Sequence, residues 1–187
     1  LASPVARLGH VPDDDLPGKN NAGSVHLLSG VDGTLLWTTV ADTSGDRLGA
    51  AVAGVADLGG AGQHGVVAGA PLDDAGGLVN AGSALALAGA DGSTLWSVGG
   101  PAANYNLGLA LAGGLDVDAD GFGDVLVGAP LAQVGGQGGA GRLLVCSGAD
   151  GSVLWQAQGG AAGDALGRSV ASVPDVDGDG AADLAVG

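Results

Sequence analysis

Residues 140–155, AGRLLVCSGADGSVLW, decide the fold. A short apolar run ends at Cys146, the pair Asp150-Gly151 marks a turn, and a second apolar run carries Trp155. Neither run is long enough for a helix of about 10 residues, and Asp-Gly between two such runs is a hairpin signal. The same stretch recurs as AGSALALAGADGSTLW at 81–96 and AGSVHLLSGVDGTLLW at 22–37. Trp37, Trp96 and Trp155 therefore stand 59 residues apart, as do Asp32-Gly33, Asp91-Gly92 and Asp150-Gly151. Self-similarity at a fixed period marks a repeat architecture.

Outward from the hairpin the period holds without insertion or deletion. Leu48-Gly49, Leu107-Gly108 and Leu166-Gly167 share one offset, and Gly-Ala-Pro at 69–71 and 128–130 matches His10-Val11-Pro12. In the third unit four strands are predicted, over 141–146, 153–157, 169–173 and 183–186. Four short strands per unit, parted by Gly, Asp, Ser and Pro turns, predict an all-β fold of β-propeller blades, each of four antiparallel strands. A β-solenoid of stacked hairpins is the alternative. The chain 1–187 reads as one propeller segment with repeats at about 13–71, 72–130 and 131–187. Residues 5–12 align with the last strand of the later units, so 1–12 would complete a preceding blade. Three blades are too few for a ring that normally takes four to eight. The expectation is a part of a larger propeller, or two or more copies that close one together.

Composition supports turns over helices. All 20 acidic residues are Asp, glycine numbers 40, and only five side chains are aromatic. Asp favours turns where Glu would favour helix. A hydrophobic content of 46% excludes a disordered acidic tail. The formal charge of −15, with five Lys and Arg, excludes a basic face for nucleic acid or an anionic membrane. No apolar run approaches a membrane span, and a single cysteine, Cys146, excludes an internal disulfide framework. Because Cys146 aligns with Leu28 and Leu87, it reads as a small core residue.

The acids concentrate in two loops. Asp116, Asp118, Asp120 and Asp124 occupy positions 1, 3, 5 and 9, with Gly121 at position 6. Asp175, Asp177, Asp179 and Asp183 repeat this with Gly180. Carboxylates packed so closely repel one another unless a cation lies between them. Hard oxygen ligands in a flexible loop with a Gly turn suit calcium. Position 7, Phe122 or Ala181, offers its backbone carbonyl. An EF-hand is excluded because position 12 of the first loop is Val127 and no helical periodicity flanks it. In the first unit only Asp57 survives, with Gly59, Ala61 and Gly65 at the other acid positions, so two calcium ions per chain are expected.

The loop Asp-x-Asp-x-Asp-Gly-x-x-Asp leading into Val125-Leu126-Val127-Gly128-Ala129-Pro130 resembles the FG-GAP repeat of the integrin alpha N-terminal propeller and its bacterial relatives. The resemblance spans essentially the whole chain. It implies a propeller with calcium on the blade loops of one face. The implied ligands are Asp116, Asp118, Asp120, the Phe122 carbonyl and Asp124, then Asp175, Asp177, Asp179, the Ala181 carbonyl and Asp183. Leu107 and Leu166 depart from the Phe usual in that family, and the near-identity of units points to a bacterial or environmental member. The segment Asp-Gly-x-x-x-Trp also faintly resembles quinoprotein propellers, which lack the calcium loop.

The Trp residues read as packing between adjacent blades, with an exposed sugar platform as the alternative. Asp13, Asp14, Asp15 and the pair Asp73, Asp74 fall in corresponding loops and read as solvated. No catalytic constellation, zinc spacing, P-loop or dinucleotide fingerprint is found. The expectation is a non-enzymatic, calcium-binding, extracellular or cell-surface module for adhesion to a protein or glycan. The alternatives are the non-catalytic propeller of a secreted enzyme and a self-associating structural repeat.

Overall fold

Each Asp-Gly turn closes its hairpin in the same way. In the computed structural model, which describes residues 8–11, 17–59, 62 and 64–187, the Ser147 N–H donates to the Ser152 carbonyl at 2.8 Å and the Gly151 N–H to the Ser147 carbonyl at 2.9 Å. The Asp150 carboxylate accepts the Ser152 N–H at 2.8 Å, as Asp91 accepts Ser93 at 3.0 Å and Asp32 accepts Thr34 at 3.1 Å. Gly151 has φ +79°, a left-handed conformation that costs glycine nothing. The register shifts by one residue beside the turn in all three hairpins, as a bulge next to a left-handed Gly requires. Positions 1–7, 12–16, 60, 61 and 63 lie outside the described residues, among them Asp13, Asp14, Asp15 and Ala61.

The described residues form thirteen strands in four antiparallel sheets. The first sheet is β1 (Leu8–Val11), β2 (Ser24–Leu28) and β3 (Leu35–Val40). Next come β4 (Ala51–Val55), β5 (Gly65–Ala70), β6 (Ser83–Ala88) and β7 (Thr94–Gly99), with a single 3-10 turn at Ala75–Gly77. The third is β8 (Ala110–Leu115), β9 (Asp124–Ala129), β10 (Arg142–Cys146) and β11 (Val153–Gln158). Last is a pair, β12 (Val170–Val173) and β13 (Asp183–Val186). Both complete sheets are four-stranded meanders, as expected of propeller blades. The four strands predicted for the third unit are β10 to β13 within two residues, yet they do not share a sheet. Strands β10 and β11 finish one sheet and β12 and β13 begin another, so sequence period and sheet are half a unit out of phase.

The sheets stack face to face, with β4 against β8 and β8 against β12. Strands β5 and β9 are buried along their whole length, since a neighbouring sheet covers either face. Along β5 the alternation resolves the two sides. Val66, Ala68 and Ala70 pack with Val25 and Trp37 of the first sheet, whereas Val67 packs with Val125 and Val127 of the third. On the third sheet's other face Leu126, Leu143 and Val145 meet Val170, Leu184 and Val186. Small residues permit the approach. A Cβ on Gly69 would overlap the Gly108 carbonyl oxygen, and one on Gly128 the Gly167 oxygen. The pairs Leu107-Gly108 and Leu166-Gly167 thus dock where the facing strand carries glycine, with Leu107 buried beneath.

Tryptophan joins sheet to sheet. The Trp37 indole N–H donates to the Gly89 carbonyl at 2.9 Å, and Trp96 to Gly148 at 3.1 Å. Their rings lie on the next hairpin's turn, 2.7 Å from where a Cβ on Gly92 would stand and 2.6 Å for Gly151. Trp155 has no such neighbour among the described residues and is 40% exposed against 8% for Trp37. The packing role expected of the three tryptophans is therefore met at two.

Candidate metal centres

Both Asp loops join the first two strands of a sheet, 116–124 between β8 and β9 and 175–183 between β12 and β13. Local chemistry winds them alike. Asp116 accepts the Asp120 N–H at 3.1 Å and the Gly121 N–H at 2.9 Å; Asp175 accepts Gly178 at 2.7 Å and Gly180 at 2.9 Å. These are Asx-type turns, in which a short carboxylate caps nearby backbone donors. Accepting the Gly178 and Gly180 N–H groups holds the Asp175 carboxyl below its ordinary value. Gly121 and Gly180 have φ +92° and +93°, which is what position 6 of each loop demands of its glycine.

In each loop three carboxylates converge. One oxygen each from Asp116, Asp118 and Asp124 lies within 4.8 Å of the others, and Asp175, Asp177 and Asp183 make the same group. Asp120 and Asp179, also expected as ligands, stand outside these groups. Their Oδ1 atoms instead accept the N–H of Phe122 and of Ala181, both at 2.8 Å.

The last acid of the first loop is the most enclosed. Asp124 opens β9, is fully buried, and accepts the Val117 N–H at 2.7 Å and the Gly148 N–H at 3.0 Å. Burial pushes its carboxyl above the ordinary range, and the nearby charges of Asp118 and Asp120 push the same way. A buried carboxylate facing two others is where a cation lowers the energy most. The donor set fits a hard divalent ion: carboxylate oxygens only, no nitrogen or sulfur, on a loop of adaptable backbone.

Asp183 accepts Val176 N–H at 2.7 Å but has no counterpart of the Gly148 contact among the described residues. Gly148 lies on the β10–β11 hairpin, and the fourth sheet ends at its second strand.

At the degenerate loop, Asp57 has φ +53° and its Oδ1 is buried without a hydrogen-bond partner among the described residues. Elsewhere, Asp73 and Asp74 line a cleft of about 630 Å³ between the first two sheets, together with Asp42 and Asp46. Burial raises the Asp73 carboxyl, and the charges of Asp46 and Asp42 add to the rise. Asp74 is exposed, as a solvated loop requires, and Asp73 is half-buried; that they share a cleft with Asp42 and Asp46 comes from the packing of two sheets and left no signal in the repeat. Cys146 is a fully buried free thiol, as its alignment with leucines indicated.

Stacked four-stranded antiparallel sheets of one repeated design, with acidic loops at the same place in successive sheets, define an all-β repeat protein of propeller type. The sequence model of the FG-GAP repeat matches residues 107–146, from the Leu107-Gly108 docking pair through the first Asp loop to Cys146. The chain carries an FG-GAP repeat. Compared with curated proteins, it has no significant match. Among the described residues no helix is long and apolar enough to cross a membrane.

Proposed function

We propose that this chain is a calcium-binding, extracellular propeller module whose loops present a surface to a protein or glycan. The observation that carries the reading is the pair of loops in which three Asp carboxylates come within 4.8 Å, at one place in successive sheets. The FG-GAP match across the first loop supports the same reading. Asp116, Asp118, Asp120 and Asp124, with the Phe122 carbonyl, would hold one ion; Asp175, Asp177, Asp179 and Asp183, with the Ala181 carbonyl, would hold the other. Bound calcium supplies charge neutralisation and a cross-link between the ends of each loop. The protein's own part is to fix the loops, through the Asx turns at Asp116 and Asp175 and the backbone clamp on Asp124. A loop already ordered costs less to immobilise when a ligand lands on it. No residue is assigned a catalytic role.

Calorimetric titration of chelator-stripped protein with calcium tests this. Two equivalents are expected, in the 10⁻⁴–10⁻³ M range typical of extracellular modules. Asp118→Ala should leave one equivalent, as should Asp177→Ala. A folded protein that takes up no calcium would refute the metal reading and with it the loop-ordering role.

A further inference from the structure

We propose that the cleft between the second and third sheets binds a small organic carboxylate, held by the Nε edge of Arg142 and the hydroxyl of Tyr105. The site lies between the two complete four-stranded sheets and uses neither acidic loop. It therefore stands apart from the calcium reading.

One wall comes from β7 and the connection after it, through Val98, Pro101 and Tyr105; the other comes from β10 and β11, through Arg142, Leu144 and Gln156. Alternation along a strand puts Arg142 and Leu144 on one face. Leu144 packs in the core that holds Tyr105, so Arg142 also faces the second sheet. Across the ladder Gln158 lies opposite Arg142 and Gln156 opposite Leu144. The terminal nitrogens of the guanidinium donate to their side-chain oxygens, at 3.0 Å for Gln156 and 3.3 Å for Gln158. This fork fixes the guanidinium, whose Cζ stands 5.7 Å from the centre of the Tyr105 ring.

Two donors are left over. The Arg142 Nε and the Tyr105 hydroxyl are both buried without a hydrogen-bond partner among the described residues, and Tyr105 is only 4% exposed. Leaving a buried donor unpaired is costly, the more so for a charged one. Burial raises the Tyr105 pKa, with the Arg142 charge opposing in part, so the phenol keeps its proton at neutral pH. Two such donors lack an acceptor. A carboxylate brings two oxygens, and a guanidinium edge recognises that planar group better than any neutral acceptor.

The corresponding cleft one repeat earlier shows that this polarity is not imposed by the fold. It is lined by Asp42, Asp46, Asp73 and Asp74. A shift of 59 residues puts Asp46 in the place of Tyr105 and Ser83 in that of Arg142. The other three acids fall at Pro101, Ala132 and Gln133. In a chain of formal charge −15, the later cleft is lined by a cation and by no acid among the described residues. Its field favours an anion, where the earlier cleft would repel one. A volume of about 500 Å³ is that of a small-molecule pocket. Val98, Pro101 and Leu144 offer apolar contact to a carbon skeleton, which a bare inorganic anion would leave unused.

Titration of isotope-labelled protein with sodium glucuronate, followed by NMR, tests this. The chain has four arginines, so the Nε–H signals are few, and that of Arg142 is assigned by its loss in Arg142→Lys. It should move saturably with glucuronate and stay in place with glucose, or with sodium chloride at the same ionic strength. Arg142→Lys keeps the charge but loses the Nε edge, and should weaken binding about tenfold or more, read on the backbone amides of Tyr105 and Leu144. Tyr105→Phe keeps the ring and should also weaken binding about tenfold. The same substitution should raise the melting temperature of the ligand-free protein, because it removes a buried donor that has no acceptor. A fall would show the hydroxyl already satisfied and overturn the proposal. Chloride moving the Arg142 signal as glucuronate does would mark an adventitious ion only, and would overturn it too. So would glucose binding as glucuronate does, no saturable shift, or binding that neither variant weakens.

Discussion

Three tryptophans of identical sequence context should differ sharply in what they contribute to stability. Trp37 is 8% exposed, donates to the Gly89 carbonyl at 2.9 Å and covers the Gly92 turn. Trp155 is 40% exposed and has no hydrogen-bond partner among the described residues. Truncating a buried Trp to Ala costs about 3–5 kcal/mol, because the cavity only partly collapses. For Trp155 the buried share is about two thirds that of Trp37, and there is no indole hydrogen bond of about 1 kcal/mol to lose. About 1–2 kcal/mol remains. Trp37→Ala should therefore be the more damaging by about 2 kcal/mol or more, a large share of the roughly 5–15 kcal/mol that holds a domain folded. Urea unfolding followed by circular dichroism measures this. Equal losses at the two positions would refute the reasoning, since only a missing neighbour distinguishes the sites.

The turn aspartates give a pH dependence of definite sign. Asp32, Asp91 and Asp150 are held below the ordinary carboxyl range, chiefly by accepting the N–H of Thr34, Ser93 and Ser152. Their stabilisation is complete above the unfolded carboxyl value, near 3.9, and is lost as pH falls through the lower folded values. Asp91→Asn keeps an acceptor for the turn but cannot titrate, so its urea midpoint should fall less than that of the parent between pH 5 and pH 3. In the first acidic loop Ala119 has φ +61°, where the second loop has Gly178 at +83°. Ala119→Gly should stabilise the metal-free protein by up to about 1 kcal/mol, read as a higher melting temperature; a fall would count against strain at that position. Burial, helped by the charge of Asp124, pushes the Cys146 thiol up to about 12. A thiol reagent at pH 8 should leave native protein unlabelled and react at once in urea, whereas rapid native labelling would contradict a closed core.

The local parts of this structure were legible because their chemistry is short-range and repeats. Asp-Gly at a fixed offset gave three hairpins, and the four strands of the third unit fell within two residues of their places. Acids at alternate positions gave two loops of one design, and Cys146 was placed in the core by the leucines it aligns with. Sheet membership was not legible. A period of 59 residues has the same content wherever it is cut, and only the packing of β8 against β12 shows that β11 ends one sheet and β12 begins the next.

The acidic loops divide in the same way. Sequence spacing offered four carboxylates per loop; which oxygens converge depended on backbone turns. Those turns gather Asp116, Asp118 and Asp124 and set Asp120 to accept the Phe122 N–H. Glycine at 69 and 128 was visible as part of a motif, but its necessity came from the backbone of another sheet passing through the space a Cβ would fill. The exposed Trp155 is the clearest case. Its sequence matches that of its two homologues, and its environment differs because a tryptophan's burial is decided by the sheet that lies beside it. Residue identities along the chain therefore determined the hairpins, the loops and the repeat. Contacts between distant segments decided which strands share a sheet, which carboxylates meet and which tryptophan is left open, because those depend on distances that no local spacing encodes.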